Sequence, residues 1–199
     1  EGGLGIPFDS IELACTFVLE SIEKVGLRVG TEISLALDIA STQFFDGARY
    51  NLTTINKSYS SSEFVNYTNT LVNNFPIISI EDPFAEDDWE AWSAFVQAAP
   101  KTLQILGDDL LTTNAHRLER AIKDQSANSI LIKANQNGLV TSTYQVLQQA
   151  QSAKFNTVVS GRSGETEDSW LADLATGWRA GQIKVGSTHG AERNAKWNR

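Results

Sequence analysis

IISIEDPFAEDDWEAWSAFVQAAPKTLQILGDD, residues 77–109, decides the fold. It opens with an apolar run that ends at Glu81, continues through apolar residues at helical spacing over 86–98, and closes with a second apolar run over 103–108. Two short strands separated by a helix predict parallel pairing, because a connection of that length is a crossover rather than a hairpin.

The same alternation extends in both directions. Further strands are predicted at 33–38, 130–133, 157–160 and 182–184, and further helices at 11–25, 62–75, 114–124, 140–153 and 168–180. Ser10 is a candidate N-cap for the first helix and Gly26 its stop. Neither G-x-G-x-x-G nor G-x-x-x-x-G-K-[ST] occurs, so the glycine fingerprint that usually announces an open, nucleotide-binding sheet is missing. Several strands instead end in a charged residue, and a parallel barrel assembles its active site at those C-terminal tips. The expected fold is therefore α/β, a (β/α)8 barrel of TIM type with about six of its strands present. The Asn-, Ser- and Tyr-rich segment 50–62 is read as a surface loop.

With 199 residues and 41% hydrophobic content, the chain is expected to be one domain over 1–199, shorter than a usual complete barrel. It begins with Glu1 and contains no Met, so it is expected to be a segment of a longer polypeptide. The net charge of -8 argues against a nucleic acid or an anionic membrane as partner. No apolar run reaches membrane-spanning length. The single cysteine, Cys15, is read as core filler and favours a reducing compartment, hence a cytoplasmic location. The sequons at Asn51, Asn56 and Asn66 are read as chance.

Three strand ends read L-A-L-D, I-S-I-E-D-P and I-L-G-D-D, placing Asp38, Glu81 and Asp108 at neighbouring tips. Carboxylates brought together repel one another, and a divalent cation compensates; all-oxygen ligands point to Mg²⁺, or Mn²⁺ in its place, rather than zinc. The alternative is that each acid caps a helix or pairs with a lysine. Two further strands end in Lys133 and Lys184. A lysine close to cations and partly desolvated can act as a base at neutral pH, while a second holds an anionic substrate; a pair of salt bridges is the plainer reading. Between them V-V-S-G-R-S-G-E-T-E-D carries Arg162 and Ser163, expected between a strand and a helix start, where guanidinium, hydroxyl and amides can hold a phosphate. Glu165, Glu167 and Asp168 are placed at that helix start and given no chemistry.

E-G-G at the start, L-A-L-D, S-I-E-D-P-F-A-E-D-D-W, G-D-D-L-L-T-T-N, I-L-I-K-A-N-Q, R-S-G-E-T-E-D and G-Q-I-K-V-G occur in this order along nearly the whole chain. In this the sequence resembles the enolase family. The resemblance implies a Mg²⁺-dependent hydro-lyase, phosphopyruvate hydratase, interconverting 2-phosphoglycerate and phosphoenolpyruvate in glycolysis as a cytoplasmic homodimer with two Mg²⁺ ions. Asp38, Glu81 and Asp108 would bind the tighter magnesium, Glu81 and Asp108 also counting among the substrate-binding positions. Lys133 would be the base, Lys184 would contact the substrate carboxylate, and Arg162 and Ser163 would bind the phosphate. Glu1 would assist departure of the hydroxyl as general acid.

Against the family pattern, Gly161 stands where histidine is usual, and residues 190–193 read G-A-E-R, with His189 nearby. The loss of an imidazole predicts that Gly161→His raises turnover. Relative to the family, the chain would lack a small N-terminal domain, two barrel strands and the end of the last helix, and six strands cannot close an eight-stranded barrel. Two other readings stay open: a homologue acting on a related phosphorylated or phosphonate hydroxy acid, and a non-catalytic interaction protein of the same fold.

Overall fold

A computed structural model of the chain describes residues 3–199; Glu1, the expected general acid, lies outside them. The backbone forms two compact units, residues 6–109 and residues 110–199, each built from parallel strands and helices.

In residues 6–109, helix α1 (Ile11–Lys24) starts where the Ser10 side chain accepts the Leu13 N–H at 3.2 Å, satisfying one of the open amides of the first turn. Cys15 is buried on its inner face, as its reading as filler requires. Strand β1 (Leu35–Asp38) follows, then a short antiparallel pair, β2 (Tyr50–Leu52) with β3 (Lys57–Tyr59). Helix α2 (Ser61–Asn74) carries a capping box, Ser60 bonding the Glu63 amide and Glu63 the Ser60 amide. Strand β4 (Ile77–Glu81), helix α3 (Trp89–Ala98) and strand β5 (Gln104–Gly107) complete the unit. β1 pairs with β4 and β4 with β5, both parallel, with Asp38 opposite Glu81 and Glu81 opposite Leu106. Ile80, Ile105, Phe84, Trp92 and Phe95 form the core beneath them.

The reading of 50–62 as a surface loop is overturned. Tyr50 is fully buried, stacks on Phe64 with ring centroids 4.4 Å apart, donates its hydroxyl to Asp88 Oδ2 at 2.7 Å and accepts the Ala85 N–H at 3.0 Å. One amphipathic ring outweighs the polar composition around it, because its apolar body and its hydroxyl are both satisfied inside.

In residues 110–199, Asn114 caps helix α4 (Ala115–Asp124) by accepting the His116 and Arg117 amides. Strand β6 (Ser129–Ile132) is buried at every residue, the expected result when both faces of a parallel strand are covered. The single-turn α5 (Ala134–Asn137), helix α6 (Val140–Ser152), strand β7 (Asn156–Ser160), helix α7 (Trp170–Gly177), strand β8 (Gly181–Lys184) and helix α8 (Ala191–Asn198) follow. β6 pairs with β7 and β7 with β8, parallel, with Ser160 opposite Lys184. α5 and α8 lie outside the predicted helices. Among the described residues no helix is long and apolar enough to cross a membrane.

Candidate functional site

Asp38 and Glu81 are the last residues of β1 and β4, and Asp108 directly follows β5. Parallel pairing in register puts these three positions at the same end of neighbouring strands, as predicted. Their surroundings differ: Asp38 is exposed, Glu81 buried and Asp108 half-buried. Asp38 also lines an open, mainly apolar cavity of about 520 Å³ together with Phe8, Phe44 and Ile55.

Among the described residues a different trio of carboxylates is gathered. Oxygens of Asp82, Asp108 and Asp109 lie within 4.8 Å of one another, so Asp108 is shared with the predicted set while Asp38 and Glu81 stand outside this group. Asp82 occupies the left-handed region, at φ 41°, immediately after β4 and before Pro83. The Ser41 amide and hydroxyl tie this turn down, donating to the carbonyls of Asp82 at 3.1 Å and Pro83 at 2.8 Å. The Asp82 carboxylate accepts the Asp108 and Asp109 amides at 2.9 and 2.8 Å, folding the G-D-D turn around it. Burial pushes its carboxyl well above the ordinary range; the Asp108 and Asp109 charges push the same way, and the two amide bonds oppose them. A hard divalent cation fits this donor set: the oxygens are all carboxylate, close together, and their mutual repulsion is what such a charge relieves. The signal for Asp82 and Asp109 was their place beside Glu81 and Asp108. Strand periodicity does not show that the chain turns left-handed there.

Among residues 110–199, Lys133 directly follows β6 and precedes α5, and its backbone is pinned. Its amide donates to Thr113 Oγ1 at 2.9 Å. Thr113 is fully buried at φ 50°, and its hydroxyl lies 3.3 Å from the Leu131 carbonyl and 3.2 Å from Gln136 Oε1. Asn137 Nδ2 donates to the Thr113 carbonyl at 2.9 Å. A residue held in a sparsely populated backbone region by this many bonds is a rigid anchor for the lysine beside it.

Lys184 ends β8, half-buried. Arg162 and Ser163 are exposed in the loop after β7. That loop does not run straight into a helix: α7 begins only at Trp170, so the expectation that helix-start amides join Arg162 and Ser163 is corrected. Glu165 is not a helix-start acid either. Its carboxylate lies against Gly161, accepts from Asn135 Nδ2 at 2.7 Å and meets Lys196 Nζ at 3.3 Å, with both side chains of the ion pair almost wholly buried. Lys196 also donates to the carbonyls of Thr166 and Glu192, and Arg193 donates to the Val185 carbonyl, next to Lys184, at 2.8 Å. Asn135 and Lys196 were not singled out in the sequence, and Arg193 was noted only as the end of the G-A-E-R segment. The two cations stand at ordinary helix spacing in α8, and nothing in that spacing reveals burial.

The sequence model of the family described as Enolase, C-terminal TIM barrel domain, matches residues 1–199. The strands and helices of both units are of that α/β type, with six barrel strands among the described residues.

Proposed function

The chain belongs to the enolase C-terminal TIM barrel domain family, and from that premise we propose that it is a phosphopyruvate hydratase. The reaction is the reversible dehydration of 2-phosphoglycerate to phosphoenolpyruvate. One observation carries this reading: the parallel strands of such a chain end in acids at Asp38, Glu81 and beside Asp108, and in cations at Lys184 and beside Lys133.

In this reading Arg162 and Ser163 hold the phosphate by charge-assisted hydrogen bonds, and Lys184 holds the carboxylate. Lys133 takes the proton from C2, the electron pair left behind forms the C2=C3 bond, and the C3 hydroxyl leaves as water with a proton from Glu1. Asp38, Glu81 and Asp108 hold magnesium, with Asp82 and Asp109 available to the same cluster, and Glu81 and Asp108 also border the substrate. Bound magnesium would supply positive charge against the negative charge that builds on the substrate carboxylate as the proton leaves. The pinning of Lys133 through Thr113 supports its role, because a base must be placed before it can act. The enzyme would work in glycolysis, in the cytoplasm, as a homodimer using two magnesium ions.

A second reading has one observation in its favour. Gly161 carries no side chain where the family usually has an imidazole, and a site without that group suits a related phosphorylated or phosphonate hydroxy acid. Turnover of 2-phosphoglycerate, measured beside such analogues with magnesium present, separates the two. The first reading expects 2-phosphoglycerate to have the highest kcat/KM, and a clear preference for an analogue would replace it.

A further inference from the structure

Asp82 sits at φ 41° immediately before Pro83. That conformation is disfavoured twice: a side chain is strained at positive φ, and a proline ring pushes the residue before it toward extended backbone. A residue stays there only where its surroundings over-determine it. On one side the Asp82 amide donates to the Leu106 carbonyl at 3.0 Å, and its carboxylate accepts the Asp108 and Asp109 amides at 2.9 and 2.8 Å. Ser41 supplies the other side. Its amide donates to the Asp82 carbonyl at 3.1 Å and its hydroxyl to the Pro83 carbonyl at 2.8 Å. Serine is mostly a surface residue, yet Ser41 is fully buried. Ala40 before it is left-handed too, at φ 49°, and this turn brings both Ser41 donors to the facing loop. Two flanking bonds, the Ile39 amide to the Glu81 carbonyl and the Glu86 amide to Thr42 Oγ1, both 3.0 Å, keep the loops in register.

We propose that Ser41 is a positioning residue for the acidic cluster: its hydroxyl holds the Asp82–Pro83 turn and, through the Asp82 carboxylate, the Asp108–Asp109 backbone in the form that takes a divalent cation. The cation part rests on the function proposed above. The relay joins the loops after β1, β4 and β5, which carry the strand-end acids Asp38, Glu81 and Asp108. Without the hydroxyl the Pro83 carbonyl loses a buried donor, and Asp82 is freer to return to extended backbone. Its carboxylate would then leave the Asp108 and Asp109 amides, and the G-D-D turn would lose the acceptor around which it folds.

The test combines amide hydrogen exchange, magnesium affinity by calorimetry and turnover of 2-phosphoglycerate, all on the full natural chain. Without metal, Ser41→Ala should speed exchange of the Asp108 and Asp109 amides on the order of tenfold, the effect of one buried hydrogen bond left unmade, with the strand amides of β4 and β5 little changed. The same variant should raise the magnesium Kd by a similar factor, and kcat at saturating magnesium should change less. Ser41→Cys keeps the shape with a weaker donor and should fall between wild type and Ser41→Ala, which preserves the reading if the alanine variant does not fold. Asp82→Asn leaves one acceptor oxygen where there were two, so in that background Ser41→Ala should have little further effect on exchange or Kd. Unchanged exchange at Asp108 and Asp109 overturns the positioning role. So does exchange that rises equally throughout residues 6–109, the mark of a merely structural serine, and so does a full cost of Ser41→Ala in the Asp82→Asn background. Faster exchange with an unchanged magnesium Kd overturns the cation part. A wild type that binds magnesium but does not turn over 2-phosphoglycerate overturns the function proposed above, while exchange and Kd still judge Ser41. A wild type that binds no magnesium overturns the metal site and the cation part together, and exchange decides the relay.

Discussion

After β4 and β5 the carboxylates of Asp82, Asp108 and Asp109 crowd within 4.8 Å, whereas after β7 a carboxylate and an ammonium, Glu165 and Lys196, meet at 3.3 Å. In the first region like charges are gathered and held in place by backbone amides, which fix geometry without removing repulsion. In the second, opposite charges are buried against each other by a helix and balance internally. The difference teaches where an added ion matters. The acidic trio is a donor set that a divalent cation fits, whereas the Glu165–Lys196 pair has its own counterion built in.

The largest effect that sharpens this contrast is Lys133→Ala. Loss of a positioned base should lower turnover by roughly 10² to 10⁴, while the magnesium response of the acidic region is retained. Loss of metal binding in the same variant would break the separation of roles. Next comes the metal itself. At a hundred times its Kd, magnesium should stabilise the protein by about 2.7 kcal/mol, read as a rise in the melting midpoint. Asp108→Asn should abolish that rise, because Asp108 belongs both to the strand-end set and to the close trio. Asp38→Asn and Asp109→Asn then tell the two sets apart, since each touches only one of them.

The smallest effect probes what holds the acidic unit apart from its charges. Tyr50→Phe removes a hydroxyl that serves both Asp88 and the Ala85 amide, and should cost about 1–3 kcal/mol by denaturant unfolding. Burial, the largest cause, pushes the Tyr50 phenol above its usual value; its bond to Asp88 adds to this and the Ala85 amide opposes it. The unfolded chain therefore releases that proton first, near pH ~10. Stability from this group is fully present below that pH and is lost as pH rises toward the folded value. Tyr50→Phe should flatten the alkaline loss, and an unchanged alkaline profile would show that another group causes it.

What the sequence made legible follows from the kind of signal. The strand Ile77–Glu81 was read at its observed bounds, because a short apolar run ending in acid and proline leaves little choice. The fold class followed from repeating that unit. The hairpin at Tyr50 and Tyr59 was missed because composition hides a buried ring, and α8 because its two buried residues are the cations Arg193 and Lys196. At the candidate site, strand ends were legible: Asp38, Glu81, Lys133 and Lys184 stand at or directly after them. Asp82 and Glu165 were not, since a left-handed turn places one and a contact with a glycine distant from it in the turn places the other. Both depend on side chains meeting in space, which periodicity does not encode.

The central claim is that this chain's residues remove the C2 proton of 2-phosphoglycerate with the help of magnesium. Exchange of that proton with deuterated solvent, followed by NMR on the full natural chain with magnesium and then with a chelator, tests it most directly. The account predicts exchange with magnesium and its loss on chelation. Exchange that continues undiminished in the chelator, or no exchange with magnesium at saturating substrate, would contradict it.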